Sequence, residues 1–306
     1  MRVRIAAALL SGALTLTTAT QPPVVSVTVT VLNRSDKDRD VSLTPADFRV
    51  LEDGVEQPVI SVSTGPAPVS IAVVLDTSDG MAGIGLELAQ RSVEHLVAQL
   101  APDDEVAFVT YERGITVAVP WTTRDKFPKL EWSRWKTMPF SEVLQGIYQA
   151  LGLMNEAKHP RAAVLLISDA EQVGSKYGLR HFVRTRRQSE AGIYGLRTAD
   201  LLSSSPGIDG PRPGAPNSTE TTWDSRGAMV SFDDLVRDSG GLVLPARTTT
   251  EAERSVSTLI AMLRDQYVVT FTPKKPPDDT YRRLKVELRK GGHKLRYATG
   301  YLAKLP

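Results

Sequence analysis

Cysteine is absent from the 306-residue sequence. Its absence excludes disulfides, thiolate metal sites, cysteine nucleophiles and a lipid-modified N-terminal cysteine. An exported chain without disulfides depends on its hydrophobic core, and hydrophobic residues make up 41% of this sequence, an ordinary share for a globular protein. This composition is more typical of a bacterial periplasmic or secreted protein than of a small eukaryotic extracellular module.

Residues that form recognisable catalytic motifs are also scarce. The sequence contains no Gly-x-Ser-x-Gly, His-Glu-x-x-His or phosphate-binding-loop pattern. None of the four histidines accompanies a nucleophile motif; they are His95, His159, His181 and His293. We therefore expect a non-enzymatic protein. A metal-dependent secreted hydrolase is the weaker alternative, because no general base or activated nucleophile is identifiable.

Neither sign of charge is in excess. The sequence has 37 Lys and Arg against 35 Asp and Glu, so its net charge is +2. This balance gives no electrostatic reason to expect nucleic acid or an anionic membrane as a partner.

Long apolar runs are missing as well, apart from the N-terminus. Arg2 and Arg4 precede an apolar stretch at 5–16, and small residues follow as far as Ala19. This order of charge, apolar stretch and small residues predicts a signal peptide at residues 1–20; an uncleaved anchor is the alternative. No later run reaches the ~18 apolar residues that a spanning helix needs. We expect export to the periplasm or the exterior, with no membrane span after cleavage.

Both ends of the mature chain have β patterns. Valines alternate with Ser and Thr at 25–31, and Asp53-Gly54 predicts a hairpin. After residue 266, apolar residues again alternate with charged ones, which is typical of half-exposed antiparallel strands. Two or three strands are marginal alone. We therefore predict that segments 21–66 and 266–306 pack together as one small β domain.

The region between them, residues 67–265, has a different pattern. Ser70 to Leu75 is a continuous apolar run typical of a buried parallel strand, and predicted helices and strands then alternate. This order predicts an α/β fold with a doubly wound, mostly parallel sheet, inserted into the antiparallel β domain. Residues 201–223, rich in Ser, Pro, Gly and Thr, are interpreted as a flexible excursion.

Oxygen-bearing side chains follow the ends of the predicted central strands. Asp76 and Asp169 each come directly after a strand, Ser78 lies two residues past Asp76, and Ser141 opens a helix. In open α/β sheets, ligands bind outside the carboxyl ends of the strands. Two carboxylates and two hydroxyls provide part of the oxygen shell that Mg²⁺ prefers. These four residues are the predicted metal ligands, with Mn²⁺ or Ca²⁺ as alternative cations.

The loop Asp76-Thr77-Ser78-Asp79-Gly80 resembles the Asp-x-Ser-x-Ser motif of von Willebrand factor type A domains. Ser141 lies where that family has a Thr, and Asp169 where it has an Asp after the fourth strand. The wider chain resembles related proteins of acidobacteria, through the segments 47–54, 266–273 and 300–301. The resemblance implies a Rossmann-like sheet of about six strands with one antiparallel edge, and a metal-ion-dependent adhesion site.

Two departures from the family motif bear on metal binding. Gly80 replaces the second Ser and offers no side-chain ligand, and Ala170 stands where the family often has Gly. The resemblance therefore implies a degenerate adhesion site. We expect a module that binds a protein partner there, through an acidic side chain of that partner; the alternative is a structural or envelope-assembly protein with a non-functional metal site.

Overall fold

The computed structural model describes most of the chain. The described residues are 24–32, 43–111, 114–137, 143–169, 185, 189–198, 221–223, 229–231, 236–290 and 293–305. The predicted signal peptide, Ser141, and residues 201–220 of the predicted excursion lie outside them.

The described elements follow the predicted order of β, α/β and β. The strands are β1 (Val25–Leu32), β2 (Phe48–Glu52), β3 (Val55–Gln57), β4 (Val59–Ser63), β5 (Val69–Leu75), β6 (Glu105–Tyr111), β7 (Ile115–Thr123), β8 (Arg161–Ser168), β9 (Gly192–Arg197), β10 (Thr221–Trp223), β11 (Met229–Ser231), β12 (Val243–Pro245), β13 (Tyr267–Phe271), β14 (Tyr281–Leu288), β15 (Lys294–Arg296) and β16 (Gly300–Leu302). The helices are α1 (Ile84–Gln99), α2 (Val143–Leu153) and α3 (Thr249–Arg264).

A six-stranded mixed sheet organises the α/β region, as predicted. Its strand order is β12-β9-β8-β5-β6-β7. All neighbouring pairs are parallel except β6 and β7, so the sheet has one antiparallel edge. The first strand of this sheet along the chain, β5, pairs with both β6 and β8. The chain therefore reverses its direction of winding between β5 and β8, which makes this pair the switch point where ligands bind in such folds.

Helices cover both faces of the sheet because β5 is apolar on both. Ile71, Val73 and Leu75 belong to the core that also contains side chains of α1 and α3. Ala72 and Val74 belong to a second core, on the α2 side. The continuous apolar run in the sequence is thus explained by burial on two faces.

Strands from the two ends of the chain pair with each other. β13 lies between β1 and β4, and β15 pairs with the other edge of β1. In a second sheet, β14 lies between β2 and β16. A shared apolar core joins these two four-stranded sheets; its buried members are Val27, Val29, Phe48, Val50, Tyr267, Val269, Phe271, Leu284 and Val286.

The Asp53-Gly54 turn forms the predicted hairpin. Asp53 has φ 48° and Gly54 has φ 85°, the positive values that a tight two-residue turn requires. The returning strand is only β3, which pairs with β2. The apolar residues beyond Pro58 form β4, which pairs with β13 in the other sheet.

Within the excursion predicted at 201–223, the last three residues, Thr221–Trp223, pair with Met229–Ser231 as a hairpin. Trp132 and Trp135 pack on Phe108 in the core, with ring centroids 6.2 and 5.2 Å from it. Among the described residues, no helix combines the length and apolar character needed to cross a membrane.

Candidate metal and partner-binding site

The candidate site lies at the carboxyl ends of β5 and β8. Asp76 directly follows β5, and its backbone N–H donates to the Ile167 carbonyl of β8 at 3.0 Å. Asp169 directly follows β8. Both carboxylates are buried, Asp76 at 4% exposure and Asp169 at 6%. The structure therefore places two of the predicted ligands side by side at the switch point of the sheet.

Hydrogen bonds fix the Asp76 carboxylate in place. Its Oδ1 accepts from the Ser78 backbone N–H at 2.9 Å, and its Oδ2 accepts from the Ser168 hydroxyl at 2.5 Å. Ser78 is half-buried and precedes a single 3₁₀ turn, Asp79–Met81. Asp76 and Ser78 are thus in contact, while Asp79 is exposed on the solvent side of the loop.

The loop is anchored beneath the site by Met81. Its side chain is fully buried in the core shared with α1, and its Sδ accepts from the Thr198 hydroxyl at 3.2 Å. Thr198 follows β9, and its backbone N–H donates to the Ser168 carbonyl at 3.0 Å. Three strand ends and the loop therefore form one connected arrangement.

Burial is the main electrostatic influence on Asp76. Burial raises the pKa of Asp76 above its ordinary value, and the neighbouring charge of Asp169 raises it further. The hydrogen bonds from Ser168 and Ser78 oppose this rise. Two buried carboxylates in proximity favour uptake of either a proton or a cation, because a positive charge beside them lowers the cost of burying two negative charges together.

Gly80 lies directly against the second carboxylate. A Cβ built on Gly80 would lie 1.6 Å from Asp169 Oδ2 and 2.8 Å from its Cγ. The position where the family has a serine side chain is therefore filled by the Asp169 carboxylate. Ser141 and Ala170 lie outside the described residues.

The donor atoms at this site are those that a divalent cation prefers. Asp76, Ser78 and Asp169 offer hard oxygen donors, which suit Mg²⁺ or Ca²⁺. Within the part of the chain that the structure describes, no three His or acidic side chains gather into a metal-holding group, so hydroxyls and water would have to complete the shell. The residues fit a weakly held cation with open coordination positions.

Two residues of this arrangement were not anticipated from the sequence. Ser168 binds the Asp76 carboxylate, and Thr198 supports both Met81 and the end of β8. Each hydroxyl residue lies at the carboxyl end of a parallel strand that neighbours another site strand. That shared position is the signal that could have identified them.

One known protein family matches the part of the chain that contains this site. Residues 71–172 match the family model of the von Willebrand factor type A domain. The match begins in β5 and ends just past Asp169, so it includes both site carboxylates. The chain therefore carries a von Willebrand factor type A-like domain. No curated protein matches the sequence.

The solved structures that match this chain share little sequence with it. An aerotolerance-related membrane protein from Bacteroides fragilis is 16% identical; the match covers 63% of this chain and 98% of that one, with a TM-score of 0.39. A von Willebrand factor type A protein from Catenulispora acidiphila is 8% identical, with coverages of 92% and 73% and a TM-score of 0.44. The PilB minor pilin from Streptococcus sanguinis is also 8% identical, with coverages of 65% and 62% and a TM-score of 0.44. The narrower resemblance to acidobacterial proteins has no support from these comparisons.

Proposed function

We propose that this protein is an exported, non-enzymatic interaction module that binds a protein partner at the crevice above Asp76, Ser78 and Asp169. The observation that carries the proposal is the pair of buried carboxylates at the switch point of a von Willebrand factor type A-like sheet. Parallel sheets of this kind bind their ligands at that position.

A divalent cation is the proposed cofactor of this site. Asp76, Ser78, Ser141 and Asp169 would hold it. When bound, the cation supplies a positive charge, and an acidic side chain of the partner would complete its set of ligands. Within the chain, the Ser168 hydroxyl and the Ser78 backbone N–H hold the Asp76 carboxylate in place.

An exposed apolar residue beside the loop supports protein recognition. Ile84 opens α1, three residues after Met81, and is 63% exposed. An apolar side chain beside a polar centre is a common arrangement in protein interfaces. We therefore propose that Ile84 contributes to the partner-binding surface.

The domain arrangement belongs to the same proposal. We propose that residues 67–265 form the ligand-binding domain, inserted between segments 21–66 and 266–306 of one β domain. The antiparallel pairing of β1 with β13 and of β2 with β14 supports it. We propose that residues 1–20 direct export and are then removed.

A second candidate function is a structural or envelope-assembly role with a non-functional metal site. Two observations favour it: Gly80 lacks the hydroxyl, and both Asp76 oxygens already accept hydrogen bonds within the chain. The two candidates differ in one measurable property, which is the affinity for a cation.

Metal-dependent stabilisation tests the proposal. Mg²⁺, Mn²⁺ or Ca²⁺ at millimolar concentration should raise the Tm of the wild type, since a ligand that binds only the folded state stabilises it, by about 2.7 kcal/mol at a hundredfold excess over Kd. Asp76→Asn keeps the side-chain shape and should abolish the rise. Asp103→Asn, which changes an exposed residue at the opposite end of the sheet, should leave it intact. An unchanged wild-type Tm, or an equal rise in Asp76→Asn, would favour the structural role.

A further inference from the structure

The glycine at position 80 is not required by the backbone. Gly80 lies inside the 3₁₀ turn Asp79–Met81 and does not have a positive φ. Any L-residue adopts such a conformation. Gly83, three residues later, is the opposite case: its φ is 67°, and a Cβ there would meet nothing within 4 Å. The need for glycine at position 80 must therefore come from its surroundings.

The surroundings consist of one side chain. The three heavy atoms nearest to a Cβ on Gly80 all belong to the Asp169 carboxylate, at 1.6, 2.8 and 3.5 Å. Asp169 is 6% exposed and is the first residue after β8. A side chain at position 80 and the present position of this carboxylate exclude each other.

We propose that Gly80 makes room for Asp169 in the metal-binding loop, so that one carboxylate oxygen of this predicted ligand, Oδ2, takes the place of the missing serine hydroxyl. This inference rests on the proposed metal-binding function. The glycine is then an adaptation of the site rather than a defect. A charged carboxylate oxygen replaces a neutral hydroxyl, and both are hard donors for a divalent cation.

Restoring the serine of the family motif should therefore weaken metal binding rather than strengthen it. Gly80→Ser restores the family's hydroxyl, but its Cβ displaces the Asp169 carboxylate. We expect Gly80→Ser and Gly80→Ala both to weaken Mn²⁺ and Mg²⁺ binding by about tenfold or more, the range typical for losing a group that positions a metal site. Gly152→Ala, in α2, is the matched control. Its Cβ would meet nothing within 4 Å, so its affinity should equal that of the wild type.

The experiment is isothermal titration of the full chain with Mn²⁺ and Mg²⁺, for the wild type and these three variants. Weaker binding by both position-80 variants supports the proposal. Equal or tighter binding by Gly80→Ser, with the wild type binding, overturns the proposal and leaves the proposed function standing. No binding by the wild type overturns both.

A metal-free measurement protects the test against variants that fold poorly. In EDTA, Gly80→Ala should lower the Tm of the otherwise wild-type chain. It should lower the Tm much less in an Asp169→Ala background, because the carboxylate that would collide with the new Cβ is gone. Such coupling between contacting residues is what a double-mutant cycle detects. An equal loss of Tm in both backgrounds would show that Asp169 does not occupy the space at position 80 and would overturn the proposal.

Discussion

A single buried tyrosine connects the six-stranded sheet to the strands from the chain ends. Tyr194 lies in β9 and is 1% exposed. Gln266, which directly precedes β13, donates from Nε2 both to the Tyr194 hydroxyl and to Thr30 Oγ1 of β1, at 3.2 Å each. Burial raises the pKa of Tyr194 to about 12, while hydrogen bonds with Thr30 and Gln266 act in the opposite direction.

The raised pKa of Tyr194 predicts a specific loss of stability in alkali. Because the folded state favours the neutral phenol, its contribution is complete below pH 10, the ordinary pKa, and is lost as pH rises through about 12. A difference of two pKa units corresponds to roughly 2–3 kcal/mol. Tyr194→Phe should cost about 1 kcal/mol at neutral pH, through the lost hydrogen bonds, and should lack this alkaline component. Urea unfolding of both proteins at increasing pH measures it; a constant difference between them would contradict the prediction.

Individual site residues differ in how far the sequence could reveal them. Asp76 and Asp169 could be predicted because each follows an unbroken apolar run, and the end of a buried parallel strand is a defined place in the fold. The contact between Gly80 and Asp169 could not be predicted, since it depends on the direction of one carboxylate across two strands. A missing hydroxyl in a motif therefore indicates a changed site without indicating what fills the space.

At the level of elements, the first residue of β8 acts as a clamp. Arg161 is 3% exposed, although it begins a strand at the edge of the apolar core. Its guanidinium donates to the backbone carbonyls of Gly65, Arg264 and Gln266. Gly65 precedes β5, and the other two residues join α3 to β13. One side chain thus binds both of the segments where the chain passes between the six-stranded sheet and the strands from its ends.

Removing the Arg161 guanidinium should lower the free energy of unfolding. Arg161→Met keeps the apolar stem but leaves three carbonyls without their donor, and we expect a loss of roughly 3 kcal/mol in the free energy of unfolding. The matched control is Arg91→Met. Arg91 is exposed on α1 in an i,i+3 pair with Glu94, so its loss should stay within about 0.5 kcal/mol. Chemical denaturation of the three proteins gives the comparison, and equal losses for the two variants would rule out the clamp.

The elements themselves were predictable in proportion to their length. The strands β5 and β8 are unbroken apolar runs long enough to be recognised, and the helices α1 and α3 repeat their apolar spacing over several turns. β3, β15 and β16 have three residues each, too few for any periodicity. They exist because a partner strand, far away in sequence for β15, supplies their hydrogen bonds. The assignment of Val59–Ser63 to the opposite sheet follows from its pairing with β13, which local pattern cannot show.

At the scale of the whole molecule, strands from the two ends of the chain pair with each other. β1 has its partners, β13 and β15, more than 200 residues away, as the pairing of Val25 with Phe271 shows. The β core therefore cannot form until the α/β region between its halves has been synthesised. Arg161, Tyr194 and Gln266 then connect this core to the six-stranded sheet through buried hydrogen bonds. We expect the two regions to unfold together.

Joint unfolding can be tested because the tryptophans lie on one side of the junction. All four, Trp121, Trp132, Trp135 and Trp223, belong to the region between the β segments. Phe271→Ala removes a fully buried ring from the β core, which costs about 3–5 kcal/mol in well-packed cores. If the regions unfold as one unit, the free energy of unfolding reported by tryptophan fluorescence in urea should fall by that full amount, and the urea midpoint should fall with it. Leu305→Ala, at an exposed position near the C-terminus, should leave the midpoint unchanged. Tryptophan fluorescence of Phe271→Ala could instead keep the wild-type midpoint while circular dichroism shows that the β core has already unfolded. That result would show that the β domain unfolds by itself.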